Sequence, residues 1–154
     1  MRILFIYPNL NHELIGYGDL GAIAEPLALE YLAASCVDLA TEMELLDLRL
    51  HPNELNNRLT IFNPDVIAIT GYSMHVMRIQ EIAQLSRERL PSSKVVVGGH
   101  HATLLAEDFK IPEIDFIVVG EGTAPFAKLI KLFSDESENS SVPGVWKNTH
   151  SGWE

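Results

Sequence analysis

Residues that could bind a ligand or take part in chemistry follow four apolar runs of this 154-residue chain. Three of the four sets contain glycine, which lets a backbone approach a large ligand closely. Any one of these glycines alone would be better explained by a tight turn. Three glycine-containing sets together favour a site for a flat, bulky ligand. The four sets are Tyr7-Pro8-Asn9, Thr70-Gly71-Tyr72-Ser73, Gly98-Gly99-His100-His101 and Gly120-Glu121-Gly122.

The polar side chains in these sets do not form a pattern typical of catalysis. Ser73 and His75 are close in sequence, but Ser73 is better explained as a helix cap. Glu121 could act as a base, yet it has no evident partner. His100 and His101 are adjacent, so in an extended segment they point in opposite directions and at most one faces a ligand. We therefore predict no catalytic residue and no metal ligand in this chain.

The segment Gly16-Tyr17-Gly18-Asp19-Leu20-Gly21 matches the pattern GxGxxG. A dinucleotide-binding fingerprint must follow its strand directly and open the next helix. Here about eighteen residues separate Tyr7 from the helix predicted to begin at Pro26, which is a long loop for a compact domain. This spacing favours a flap beside a ligand over a dinucleotide site.

Five short apolar runs predict the strands that position these residues. Because the runs are continuous rather than alternating, we expect strands that are buried on both faces. Helical patterns fill the gaps, so the prediction is an α/β fold with a three-layer, doubly wound, five-stranded parallel sheet. The expected strand order is 2-1-3-4-5, which is flavodoxin-like (Rossmann-like), with a ligand beyond the carboxyl ends of the strands. The runs are Ile3–Tyr7, Met43–Leu48, Val66–Thr70, Val95–Val97 and Phe116–Val119.

The end of the chain differs from the rest. We predict that residues 1–133 form the ligand-binding domain and that residues 134–154 form an acidic linker and the start of a hairpin. The hairpin would begin with a short strand over Pro143–Lys147 and then turn back. A half-finished hairpin is expected of a piece of a longer protein.

Two functions common among flavodoxin-like folds fit the sequence less well. A phospho-receiver needs an acceptor aspartate at the end of the third strand, where this chain has Thr70-Gly71. A flavodoxin has a phosphate loop rich in Ser and Thr after the first strand, unlike Pro8–His12. Flavin binding and a non-catalytic sensor role nevertheless remain open alternatives.

Charge and hydropathy restrict the partners. The net charge is −10, from 11 basic and 21 acidic residues, which argues against nucleic acid because phosphate contacts need basic patches. No apolar run approaches the roughly 20 residues of a membrane span, and the apolar N-terminal run is too short for a signal peptide. The single Cys36 cannot build a disulfide framework or a zinc site. We therefore expect a cytoplasmic protein without a membrane span.

Several segments together resemble the cobalamin-binding domain that precedes the barrel of radical S-adenosylmethionine enzymes. GGHHAT and VVGEG, about twenty residues apart, are the most specific pair, and the resemblance covers nearly the whole chain. The segments are Ile3–Pro8, Glu25–Ala34, Pro64–Ser73, Gly98–Thr103, Asp115–Gly122 and Pro143–Asn148.

The resemblance implies cobalamin as the cofactor, held in an extended form with its nucleotide tail beside strands 4 and 5. Gly98 and Gly99 would admit the tail, and a side chain at Gly99 would obstruct it. Thr70 and Ser73 would offer hydroxyl groups. Gly120-Glu121-Gly122 would lie at the far end of the tail, while Tyr7, Pro8 and the following loop would lie under the corrin.

The resemblance also implies a partner domain, and the chain departs from the family pattern in two places. The DxHxxG motif that supplies a cobalt ligand is absent, since His12 has Leu10 two residues before it, and Thr123 stands where many relatives have Glu. The barrel motif CxxxCxxC is absent too, because it needs three cysteines. The parent enzyme would therefore carry the iron–sulfur cluster and S-adenosylmethionine, and it would be a methyltransferase or a related rearrangement or cyclisation enzyme.

Overall fold

Seven strands form one sheet in the computed structural model, which describes residues 1–10, 24–135, 141–149 and 151–154. Strand order is β2-β1-β3-β4-β5-β6-β7, and the first five strands are parallel. The α/β fold class and the predicted order 2-1-3-4-5 are therefore confirmed. The strands are β1 (Arg2–Tyr7), β2 (Glu42–Asp47), β3 (Val66–Thr70), β4 (Lys94–Gly98), β5 (Phe116–Val118), β6 (Val145–Thr149) and β7 (Gly152–Trp153).

Helices connect the parallel strands. The connection between β4 and β5 contains a short α-helix and a 3-10 turn over Ala106–Phe109, and another 3-10 turn covers Ser73–His75. None of the helices among the described residues has the length and apolar character to cross a membrane. The α-helices are α1 (Leu27–Ser35), α2 (Leu55–Phe62), α3 (Val76–Arg89), α4 (His100–Leu104) and α5 (Thr123–Ser134).

Both faces of the sheet are covered by apolar layers. Alternate residues of β1 illustrate this, since Leu4 and Ile6 join one core cluster and Ile3 and Phe5 join the other. The first cluster includes buried residues of α2 and α3, and the second includes those of α1 and α5. Burial on both faces is why the strands are continuously apolar.

The C-terminal hairpin extends the sheet beyond the five predicted strands. β6 pairs antiparallel with β5, with Phe116 opposite Lys147 and Val118 opposite Val145. The Asn148 side chain also donates a hydrogen bond to the Ile114 carbonyl at 2.9 Å. β5 is thereby an internal strand, which protects an edge that would otherwise be open to pairing. The domain boundary near residue 133 stays a prediction.

Candidate functional site

A cavity of about 720 Å³ opens at the carboxyl ends of the parallel strands. Its volume lies in the range typical of small-molecule sites. The ends of β1, β3, β4 and β5 converge on this edge, and the loops that follow β3, β4 and β5 form one side of the cavity. The predicted site residues that line it are Tyr7, Thr70, Gly71, Tyr72, Gly98, Gly99, His100, Gly120, Glu121 and Gly122.

Four predicted site residues do not line this cavity. Pro8 is buried, and the Asn9 Oδ1 atom accepts a hydrogen bond from Arg78 Nε at 3.1 Å. Ser73 and His101 contact each other, with 2.9 Å between Ser73 Oγ and His101 Nδ1. These residues hold the segments around the cavity in place and do not form part of its lining.

Two helices supply a further part of the cavity lining, from residues that the sequence did not predict as site residues. Ala28, Leu29, Tyr31 and Leu32 come from α1, and Phe126 comes from α5. The Tyr31 side chain is 67% exposed although it faces this cavity. The sequence did contain one signal for this part of the lining. α1 is apolar around most of its circumference, and packing against one sheet needs a narrower apolar face.

Gly99 is required by packing within the protein. Its φ is +96°, a conformation that side chains disfavour, and an added Cβ would collide with the Thr70 Oγ1 atom. The Gly71 nitrogen would also lie only 3.2 Å from that Cβ. The sequence predicted that a side chain here would obstruct a ligand. The structure shows that it would first displace the neighbouring β3 loop.

Gly120 differs from Gly99 in its surroundings. It also has a positive φ, +79°, but an added Cβ would meet no atom of the described residues within 4 Å. Gly120 therefore leaves open space on the cavity side of the β5–α5 loop. This open floor between β4 and β5 is where a bulky ligand can approach the backbone.

An aromatic row lines the rim beside β1 and β3. The guanidinium carbon of Arg49 lies 4.0 Å from the Tyr7 ring centroid, and the Tyr7 and His75 centroids are 5.7 Å apart. Tyr72 continues the row at 6.1 Å from His75 and 5.8 Å from His100. The buried His75 is oriented through Nδ1, which accepts the Tyr72 backbone N–H at 3.0 Å. Tyr7, Tyr72 and His100 line the cavity and offer ring surface to a ligand, whereas His75 is buried and packs against both tyrosines.

Glu121 has a partner that the sequence did not predict. Its Oε1 atom accepts the Thr123 backbone N–H at 2.9 Å and the Thr123 hydroxyl at 2.7 Å. These hydrogen bonds lower the pKa of the Glu121 carboxyl group below its ordinary value. Glu121 thus satisfies donors at the start of α5 and holds the β5–α5 loop.

A buried ion pair fixes the end of β2. Arg49 Nη2 lies 2.6 Å from Asp47 Oδ2, and their side chains are only 4% and 6% exposed. Arg49 also donates to the Ala24 carbonyl at 2.8 Å. This pair therefore connects β2 to the segment that leads into α1, one wall of the cavity.

Metal ligation and thiol chemistry find no support in the part of the chain that the structure describes. No three His, Cys, Asp or Glu side chains there are grouped to hold a metal ion. The thiol of Cys36 is buried, and burial raises its pKa, which keeps it as an unreactive thiol. His12 and the GxGxxG segment over 16–21 lie outside the described residues.

Comparison with protein families gives one match that covers most of the chain. The family described as "B12 binding domain" matches residues 15–130. This range contains α1 through most of α5, and with them the cavity loops that follow β3, β4 and β5.

Two curated relatives align along almost the whole chain. Hopanoid C-3 methylase from Methylococcus capsulatus is 30% identical over 157 aligned positions, which cover 99% of this chain. The anaerobic magnesium-protoporphyrin IX monomethyl ester cyclase from Synechocystis is 33% identical over 153 positions and 94% of this chain. This chain spans only 30% of the length of either relative.

A solved structure shares the fold. It is the cobalamin-dependent S-adenosylmethionine radical enzyme OxsB with aqua-cobalamin and S-adenosylmethionine bound. The TM-score is 0.81 over 99% of this chain and 21% of that one, at 20% identity.

Proposed function

This chain belongs to the B12-binding domain family, and we propose that it is the cobalamin-holding module of a longer radical S-adenosylmethionine enzyme. Cobalamin is the cofactor of the family. The observation that carries the proposal is the cavity at the carboxyl ends of β1, β3, β4 and β5, whose open floor lies at Gly120. The family match favours this function over the flavin-binding and sensor alternatives.

The residues of the cavity fit an extended ligand with a planar part and a narrow tail. Gly98, Gly99 and Gly120–Gly122 would accommodate the nucleotide tail between β4 and β5, beside the Thr70 hydroxyl. Tyr7 and the aromatic row would support the corrin at the rim. Bound cobalamin supplies the organometallic chemistry, and the protein contributes binding and orientation.

The activity of the parent protein is a further part of the proposal. Its relatives are named as a methylase and a cyclase, and the neighbouring structure as a cobalamin-dependent radical enzyme. We infer a methyltransferase or a related cyclisation or rearrangement enzyme. Its remaining part would hold an iron–sulfur cluster and S-adenosylmethionine. Because reduced metal centres require a reducing compartment, we also propose a cytoplasmic location.

Cofactor selectivity provides the direct test of the binding function. The 154-residue chain is incubated with hydroxocobalamin or with flavin mononucleotide, desalted, and examined by visible absorbance. We expect retention of cobalamin in near one-to-one ratio and loss of the flavin. Retention of flavin instead of cobalamin would contradict the proposal.

A matched pair of variants on α1 shows whether bound cobalamin occupies this cavity. Ala28 and Ala34 are both exposed on α1, but only Ala28 lines the cavity. We expect Ala28→Trp to reduce retention strongly because the indole fills cavity space, whereas Ala34→Trp retains cobalamin like the unaltered chain. Equal retention by both variants would place the cofactor elsewhere.

A further inference from the structure

The hydroxyl group of Thr103 bridges two loops of the cavity. Thr103 Oγ1 donates a hydrogen bond to the Gly99 carbonyl oxygen at 2.9 Å and accepts one from the Gly120 backbone N–H at 2.9 Å. A hydroxyl has a single proton, so its donation to Gly99 leaves the lone pairs for Gly120. The bond to Gly99 is an ordinary helical contact four residues back. The bond to Gly120 crosses to another loop.

The two glycines that Thr103 connects are the ones with positive φ at the cavity. Gly99 follows β4 and Gly120 follows β5, so the bridge fixes the separation of the two strand ends. On the side of β3, Gly99 is already held by close packing against Thr70 and Gly71. On the side of Gly120, none of the side chains that the structure describes packs against the face where a Cβ would stand. The Thr103 bridge is therefore a principal restraint on the Gly120 backbone.

A second contact anchors the helix that carries Thr103. The His101 backbone N–H donates to the Gly71 carbonyl at 3.3 Å, and its ring lies between Ser73 and Asp108. α4 is thus attached to the β3 loop through His101 before Thr103 extends to the β5 loop. A mobile helix would transmit no restraint, but this one is fixed on its opposite side.

We propose that Thr103 is a positioning residue that sets the Gly99–Gly120 spacing for the part of cobalamin that enters between β4 and β5. The inference rests on the proposed function and deepens it. Without the hydroxyl, the loop over Val119–Gly122 samples more conformations, and ligand binding has to order it. When only a fraction of molecules is competent to bind, the apparent affinity falls by that fraction.

The test uses Thr103→Val, which keeps the shape but removes the hydroxyl, and Thr103→Ser, which keeps the hydroxyl. Thr60→Val is the matched control. Thr60 Oγ1 donates the same kind of hydrogen bond to the Asn56 carbonyl, at 2.9 Å, on the exposed face of α2. Affinity for hydroxocobalamin is measured by absorbance titration of each chain. We expect Thr103→Val to bind about tenfold more weakly, in line with the loss of the hydrogen bond that connects α4 to the Gly120 loop. Thr103→Ser and Thr60→Val should bind like the unaltered chain.

A second readout separates positioning from general stability and from the proposed function. Amide exchange of Gly120, followed by NMR without cofactor, should be slow in the unaltered chain and in Thr103→Ser but fast in Thr103→Val. The inference is overturned if Thr103→Val binds as the unaltered chain does, if Thr103→Ser binds as weakly as Thr103→Val, or if Thr60→Val loses as much affinity. A chain that retains no cobalamin at all would overturn the proposed function. The positioning role would then be decided by Gly120 exchange, and equal exchange in all three chains would reject it.

Discussion

His101 Nε2 lies 2.7 Å from Asp108 Oδ2, and this contact gives the imidazole a structural role. The other ring nitrogen contacts Ser73 Oγ at 2.9 Å, and the ring edge packs on Phe109 with centroids 5.6 Å apart. Both nitrogens are therefore engaged within the protein. His100, its neighbour, is exposed and lines the cavity.

This difference predicts that substitution of His101 lowers stability much more than substitution of His100. His101→Ala removes two hydrogen bonds and buried ring contacts, so we expect it to lower the free energy of unfolding by about 2 kcal/mol. His100→Ala changes an exposed side chain, and we expect less than about 0.5 kcal/mol. Urea denaturation of both variants without cofactor measures the difference. Similar stabilities of the two variants would contradict the structural role of His101.

Gly99 should be intolerant of substitution for reasons inside the protein. We expect Gly99→Ala to lower the free energy of unfolding by about 2 kcal/mol, through the positive φ and the collision with Thr70. Gly122→Ala should cost little, because its φ is −87° and its added Cβ would lie 3.5 Å from Leu32. Thermal unfolding without cofactor compares the two.

A double-mutant cycle isolates the collision at Gly99. Thr70→Ala removes the oxygen that the new Cβ would meet, so the double variant Gly99→Ala/Thr70→Ala should lose less stability than the sum of the single changes. Strict additivity would show that Thr70 is not the obstacle.

The buried pair of Asp47 and Arg49 should be costly to break on one side. Asp47→Asn keeps an acceptor oxygen but removes the carboxylate charge that lies 2.6 Å from Arg49 Nη2 in a buried pair, and we expect a loss of about 3 kcal/mol. Glu44→Gln is the control, because the Glu44–Arg58 pair at 3.2 Å is 36% and 45% exposed and, being reached by solvent, should contribute less than about 0.5 kcal/mol. Urea denaturation at neutral pH provides both values. Equal losses would show that burial does not govern the Asp47 pair.

The Glu121 carboxyl group should make the free energy of unfolding depend slightly on pH in the acid range. Hydrogen bonds from Thr123 lower its pKa in the folded chain below the ordinary value of 4.5, so the ionised form stabilises the fold. This contribution is complete above pH 4.5 and is lost as pH falls through the lower, folded-state pKa. The stability difference between the unaltered chain and Glu121→Gln should therefore be constant at neutral pH and shrink in acid. Denaturation series from pH 7 to about pH 3 measure it, and a difference that grows in acid would refute this assignment.

His12 should not coordinate cobalt, a prediction from the sequence about a residue outside the described ranges. The aspartate that would accept a hydrogen bond from such a histidine and orient its ring is missing, since Leu10 occupies that position. Electron paramagnetic resonance of the Co(II) form bound to the chain should show no nitrogen splitting that disappears in His12→Ala. Splitting that does disappear in this variant would identify His12 as the ligand.

The order of the parallel sheet and the edge that carries the site could be predicted from the sequence alone. The apolar runs around Ile3–Tyr7, Val66–Thr70 and Val95–Val97 are local signals, because burial on both faces requires continuous hydrophobicity. The glycines after them had to meet at one edge, since parallel strands place their carboxyl ends together. For the same reason, the cavity lies where the sequence predicted a ligand.

Tertiary structure alone decided how individual side chains are used. The sequence predicted, for an extended segment, that at most one of His100 and His101 faces a ligand. Both residues instead begin the helix α4, and its turn determines that His100 lines the cavity and His101 does not. The Thr103 bridge spans 17 residues and the Ser73–His101 contact spans 28. Such contacts depend on distances of a few tenths of an ångström between segments far apart in the chain. Periodicity and local propensity report burial and secondary structure, and they contain no information on those distances.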